Sequence, residues 1–141
     1  MQDEEEDFRQ FECRPICAEP LARVIMRDDA VKAFAGLDER PRARLVRVMQ
    51  LWSKGMALTP EQFNANEGRC QKGSINRLLQ AFKTHGIRLY GFTRRLVGKK
   101  TFVIVDVDSA KKQKRADQGI LNRAKDRVIY FEEKYGGQDE E

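Results

Sequence analysis

No stretch of this sequence is long and apolar enough to cross a bilayer as a helix, which needs about 20 such residues. It has no Gly-rich phosphate loop, no HExxH pair and no Ser-His-Asp arrangement, so those chemistries have no local signature here. Cysteine is scarce. Cys13, Cys17 and Cys70 are an odd set that cannot all pair within one chain. With His85, the only histidine, they make a scattered quartet rather than the paired ligands of a structural zinc site, so reduced thiols are expected. The opening MQDEEEDF is acidic, the wrong sign for a secretory signal and unlike an Arg-rich transit peptide. The expectation is a cytoplasmic protein with no membrane segment, no metal and no cofactor.

What is abundant is charge, at 35% of residues against 40% apolar, enough for one compact core in 141 residues. The net +5 is unevenly spread. Residues 1–20 hold seven acids and two bases. Residues 71–115 hold twelve bases against Asp106 and Asp108 alone, a net of +10. A local excess of that size attracts polyanions, nucleic acid first among them.

The pattern predicts an α+β domain over residues 20–137, flanked by a disordered acidic arm at 1–19 and an acidic tail at 138–141. LARVIM (21–26) reads as a first strand. DDAVKAFAG reads as a short helix stopped by Gly36. Asp38 starts a second helix, in which Leu45, Val48, Met49 and Trp52 form an apolar stripe with Arg40, Arg42, Arg44 and Arg47 largely off it. Residues 56–73 show no period and read as a loop, with a helical turn near Thr59-Pro60. A meander follows: SINRLLQAFK, a two-residue turn at His85-Gly86, GIRLYGFTRRL, a turn near Val97-Gly98, and KKTFVIVDVD. A last helix carries Leu121, Ala124, Val128, Phe131 and Tyr135 on one side and stops at Gly136-Gly137. The order β-α-α-β-β-β-α implies a small antiparallel meander sheet with an N-terminal strand, helices against one face and a C-terminal helix.

On the third of these strands, Arg88, Tyr90, Phe92 and Arg94 share one side, while Ile87 and Leu89 point the other way toward the helices. The first set is expected on the open side of the sheet, with Lys83 near its start and His85 in the adjoining turn. A second basic cluster, KKQKR (Lys111, Lys112, Lys114 and Arg115), falls near the expected start of the last helix. A phosphate there would meet cations and free helix N–H groups together. Plainer readings stand beside these. The basic run is also a solvated face if the helix starts at Ala116, His85 is also a turn residue of positive φ, and Tyr90 and Phe92 also suit packing under a loop.

The segment IRLYGFTRRLVGKKTFVIVDVDSAKKQ resembles the sheet of RelE/ParE-superfamily toxins, especially the phage-type branch related to HigB. The matching motifs are Arg88-Leu89-Tyr90-Gly91-Phe92, Thr101-Phe102-Val103 and Lys111-Lys112-Gln113. The motif-level likeness covers about residues 87–113, and the order of elements extends it to about 21–135. The resemblance implies a type II toxin of a toxin–antitoxin pair, a hydrolase cutting messenger RNA on the ribosome without metal. In such enzymes the RNA 2′-OH attacks the adjacent phosphate, and cations stabilise the transition state. By position, Arg88 would bind that phosphate and Lys83 would assist or act as base. Tyr90 and Phe92 would contact the nucleotide, beside Arg94, and Lys111, Lys112 and Lys114 would hold the backbone. Family members often carry a His or Tyr near the end of the fourth strand, where this chain has Asp106-Val107-Asp108-Ser109, so His85 is assigned the proton transfer. The implied partners are mRNA, the ribosome and a cognate antitoxin. A non-catalytic nucleic-acid-binding module and a gyrase-inhibiting ParE-like toxin remain alternatives. The acidic arm is an addition to the pattern, suited to shielding the basic face.

Overall fold

The computed structural model describes residues 8–109 and 117–137. In chain order it contains β1 (Cys13–Ala18), β2 (Ala22–Arg27), α1 (Asp28–Ala35), α2 (Glu39–Ser53), β3 (Phe63–Lys72), β4 (Ile75–Thr84), β5 (Ile87–Leu96), β6 (Lys99–Asp108) and α3 (Gln118–Tyr135). The fold is α+β, with the expected N-terminal strand, helical pair, meander and C-terminal helix. The strands form one sheet in the order β1-β2-β6-β5-β4-β3. It is mixed rather than antiparallel, because β2 runs parallel to β6, with Val24 beside Phe102 and Met26 beside Ile104. Passage through α1 and α2 and the meander lets β2 and β6 point the same way, since parallel neighbours need a long crossover.

Two strands lie where none was expected. Cys13–Ala18, in the supposed disordered arm, pairs antiparallel with β2 along the sheet edge. Phe8 and Phe11 are fully buried, and Arg9 donates to both carboxylate oxygens of Asp28 at 2.9 and 2.8 Å. Residues 8–18 therefore belong to the folded domain, while residues 1–7 and 138–141 lie outside the described residues. The supposed loop at 56–73 yields β3, the opposite edge, joined by a Thr59–Gln62 turn. Its sequence, FNANEGRCQK, lacks β-branched residues and buries only Cys70 fully. An edge strand with a bulge between Asn64 and Gly68 needs little β-propensity of its own, because its neighbour imposes the pairing.

The sheet is covered on both faces. Against one face, α1 and α2 pack Leu45, Val48 and Met49 onto Val24, Met26, Phe82, Leu89, Phe102 and Ile104. Trp52 stands edge-on to Phe82 and Phe102, both at 5.8 Å between centroids. Against the other face, α3 packs Ala124, Val128, Phe131 and Tyr135 onto Ile25, Leu79, Tyr90, Phe92 and Val103. Of the residues expected on an open side, Tyr90, Phe92 and Arg94 are thus core, and Arg88 alone keeps partial exposure. Phe131 meets the Phe92 ring edge-on at 5.6 Å. Glu132 accepts from Arg94 at 2.8 Å and faces Arg77 at 3.3 Å. The reason is the apolar stripe of α3, which needs a sheet face to bury itself, and α1 and α2 already occupy the other.

The Tyr90-Gly91-Phe92 motif has a packing explanation. A register shift between Tyr90 and Gly91 brings the β6 backbone over Gly91. A Cβ there would lie 2.2 Å from the Val103 carbonyl oxygen and 2.4 Å from the Phe102 ring. Gly91→Ala should therefore lower stability by about 2 kcal/mol or more through overpacking, read as the urea midpoint. Glu132→Ala should cost about 3 kcal/mol, because it removes the carboxylate that faces the fully buried Arg94 guanidinium. Glu133→Ala, which removes only a surface pair with Lys72, should leave the midpoint unchanged.

Candidate polyanion-binding groove

The β4–β5 hairpin is where the expected functional residues survive exposure. Gly86 takes the positive φ that the two-residue turn requires, at 69°. His85 is not among the described non-glycine residues of positive φ, so backbone tolerance does not explain a histidine there. Lys83 and Arg88 are register partners, which sets them side by side on one face of the hairpin. Around this tip, Glu61, Lys83, Thr84, His85, Gly86, Ile87 and Arg88 line a cavity of about 360 Å³.

A second cavity, of about 570 Å³, shares Glu61, Lys83, Thr84 and His85 with the first and extends to Arg40, Arg44 and Arg47 of α2. The two cavities meet at the hairpin tip and together are called the groove: Arg88 borders it on the α3 side of the sheet, the side that its neighbour Tyr90 faces, and the α2 arginines border it on the other side. Arg40, Arg44 and Arg47 fall at i, i+4 and i+7, so they form one row along that helix. The same period that buries Leu45, Val48 and Met49 turns the arginine row outward. Arg42 is spent differently: it donates to the carbonyls of Ala35 and Leu37, both at 2.9 Å, tying down the end of α1. Across the two cavities the lining carries Lys83, Arg88 and three α2 arginines with one lining carboxylate, Glu61, and the His85 imidazole, and Glu67 adds a second carboxylate against Arg88. The arginine row was visible in the sequence as i, i+4, i+7 spacing. Only the tertiary fold sets it across from the hairpin.

The remaining sequence candidates separate from this groove. Tyr90 is fully buried one step inward from Arg88. Burial, then the Glu67 carboxylate, pushes its phenol well above the ordinary range, so it stays neutral and closed to a nucleotide. Phe92 and Arg94 are sealed beneath α3, where neither can touch a ligand. Lys111, Lys112 and Lys114 lie outside the described residues. α3 begins at Gln118, behind Asp117, whose side chain accepts from the Ile120 amide. The described helix thus starts two residues after Ala116, close to the later start of the plainer reading.

The three thiols are held in their protonated form. Burial pushes Cys13 up to about 12 and Cys70 up to about 11, and Cys17 is also raised. Among the described residues, no group of three or more His, Cys, Asp or Glu side chains is arranged to hold a metal ion. No described helix is long and apolar enough to cross a membrane.

What the groove can do follows from its charge. Guanidinium groups spaced along a trough can bind successive phosphates of an extended chain, and Lys83 and His85 line the cavity at its hairpin end. Comparison with known proteins found no matching family, no matching curated protein and no matching solved structure.

Replacing Arg44 and Arg47 together by alanine should weaken binding of a single-stranded oligonucleotide. It should also flatten the slope of log affinity against log salt by about 1.4, the share of two lost phosphate contacts. Arg69→Ala, outside the groove, should change neither quantity in the same titration.

Proposed function

We propose that the groove binds single-stranded RNA and that the protein is the toxin of a type II toxin–antitoxin pair, acting as a metal-independent endoribonuclease on ribosome-bound messages. The carrying observation is that Lys83, His85 and Arg88 line one cavity, and that Lys83 and His85 also line a second, bordered by the α2 arginine row. The resemblance of residues 87–113 to RelE/ParE-superfamily sheets supports the same reading. In this reaction the 2′-OH loses its proton to a base, His85 with Lys83 assisting. The freed oxygen attacks the neighbouring phosphorus. The 5′ oxygen leaves and takes up the proton from the His85 imidazolium, giving a 2′,3′-cyclic phosphate and a 5′-hydroxyl and restoring the neutral base. Arg88 and Lys83 stabilise the charge that builds on the phosphoryl oxygens. Sealing of Tyr90, Phe92 and Arg94 removes ring stacking on that strand from the mechanism, so the α2 arginines must hold the strand. The reading puts the protein in the cytoplasm with mRNA, ribosome and a cognate antitoxin as partners.

A non-catalytic RNA-binding module is the second reading. The same sealing favours it, because binding needs only the cationic trough whereas cleavage also needs the nucleotide held in line.

Induced expression with transcript mapping tests the proposal. Growth arrest with cuts at fixed positions in codons supports it, and intact transcripts overturn it. His85→Ala should reduce cleavage at least about 100-fold, the usual share of general acid–base catalysis. Binding of a non-cleavable RNA should change less than about twofold, since His85 is one of several groups facing the strand. RNA bound but never cut by the wild-type protein identifies the binding module instead.

A further inference from the structure

Among the described residues, three buried polar atoms lack a hydrogen-bond partner and neighbour one another: Nε of Arg88, whose residue lines the hairpin-tip cavity, Oε2 of Glu67 and the hydroxyl of Tyr90. Buried polar groups in folded proteins are nearly always satisfied, so three unsatisfied ones in one place need a reason. Glu67 reaches Arg88 from the β3 bulge, with Oε2 3.5 Å from Nε, close enough for charge attraction and too loose for a hydrogen bond. The bulge is built to present it. Asn64 accepts from the Asn66 amide and Asn66 from the Gly68 amide, each at 3.0 Å, and Gly68 adopts a φ of 126°. Bulges re-aim side chains in this way. The other carboxylate near Arg88, its register partner Asp108, is engaged elsewhere and accepts from the Asp117 amide at 3.3 Å. Among the described residues, Glu67 Oε2 accepts no hydrogen bond.

We propose that Glu67 is a stand-in for the RNA phosphate: it holds the Arg88 guanidinium at the groove by charge alone, and a bound phosphate takes Arg88 from it. This rests on the RNA-groove reading. Arg88 is 24% exposed in its side chain and lines the cavity, so a phosphate can approach it from the solvent side while Glu67, 10% exposed, stays behind it. A phosphate can form the paired, charge-assisted hydrogen bonds with the guanidinium that Glu67 does not make. Glu67 therefore acts as a positioning residue that sets affinity: it orients Arg88 in the free protein and competes with the ligand for it.

The test is fluorescence anisotropy with a short labelled single-stranded RNA on the full chain, comparing wild type, Glu67→Gln, Arg88→Gln and the double variant. Far-UV circular dichroism and thermal unfolding check that each is folded. Glu67→Gln keeps the side-chain shape and removes the charge, so affinity should rise about fivefold, the scale of one partly screened ion pair. That gain should vanish in the Arg88→Gln background. Glu61→Gln, which acts only on the general field of the groove, should have the same effect with or without Arg88. An unchanged or weakened affinity for Glu67→Gln overturns the proposal, as does a gain that persists without Arg88. If loss of Arg44 or Arg47 lowers affinity while Glu67 is indifferent, the groove stands and the stand-in role falls. If none of these arginines matters, both fall together.

Discussion

The seating of α3 on the sheet governs the rest of this molecule. Its stripe of Ala124, Val128, Phe131 and Tyr135 lies over Leu79, Tyr90, Phe92 and Val103. Within that apolar contact sits an ion pair of which both members are almost wholly buried, Glu132 with Arg94. Burying two charges is expensive unless each meets its partner, so the pair ties the position of α3 along the sheet to one register. Arg77, half in the same network, links the helix to β4 as well. A sheet closed on both faces has no broad platform left for a ligand. Its remaining accessible surface is the ends of the strands and the polar side of the helices.

That constraint leaves the hairpin tip as an accessible cationic surface. The β4–β5 turn projects past the packed layers, and α2 runs alongside it with a polar face that burial of Leu45, Val48 and Met49 leaves outward. The groove is thus a by-product of how two elements bury their apolar sides. Its cations come from segments distant in sequence, residues 40–47 and 83–88. Rigid packing beneath it, with Phe82 at 4.5 Å from Phe102 and Trp52 edge-on to both, holds the two walls in place. A site supported this way is preorganised for a ligand, which lowers the ordering cost of binding.

Much of the fold was legible because its strongest signals are local. The run KKTFVIVDVD lies inside the sheet between β2 and β5, as its β-forming residues imply. The stripes at 45, 48, 49 and at 124, 128, 131, 135 are buried, and the hairpin turns on His85-Gly86. β1 and β3 were not legible. Arg14 and Pro15 in one, and Asn64, Asn66 and Gly68 in the other, carry weak β-propensity, and their pairing is imposed by β2 and β4. For the site, Lys83, His85 and Arg88 were within reach because they are neighbours across one turn. Phe92 and Arg94 were misread because alternation shows which side chains share a face and not what lies over that face. A count of apolar surfaces held the clue: three helical stripes cannot all be buried on one side of a narrow sheet.

The sequence alone determined the order of the main elements, the alternation along β5, the arginine row of α2 and the concentration of positive charge in residues 71–115. These depend on interactions between residues a few positions apart, and chain periodicity records them. Tertiary structure alone decided that α3 covers the Tyr90 face, that Glu67 stands behind Arg88, and that α2 and the hairpin tip enclose a common groove. Such contacts join residues twenty to forty positions apart, and they are chosen by which apolar surfaces find each other, a competition that no local pattern encodes.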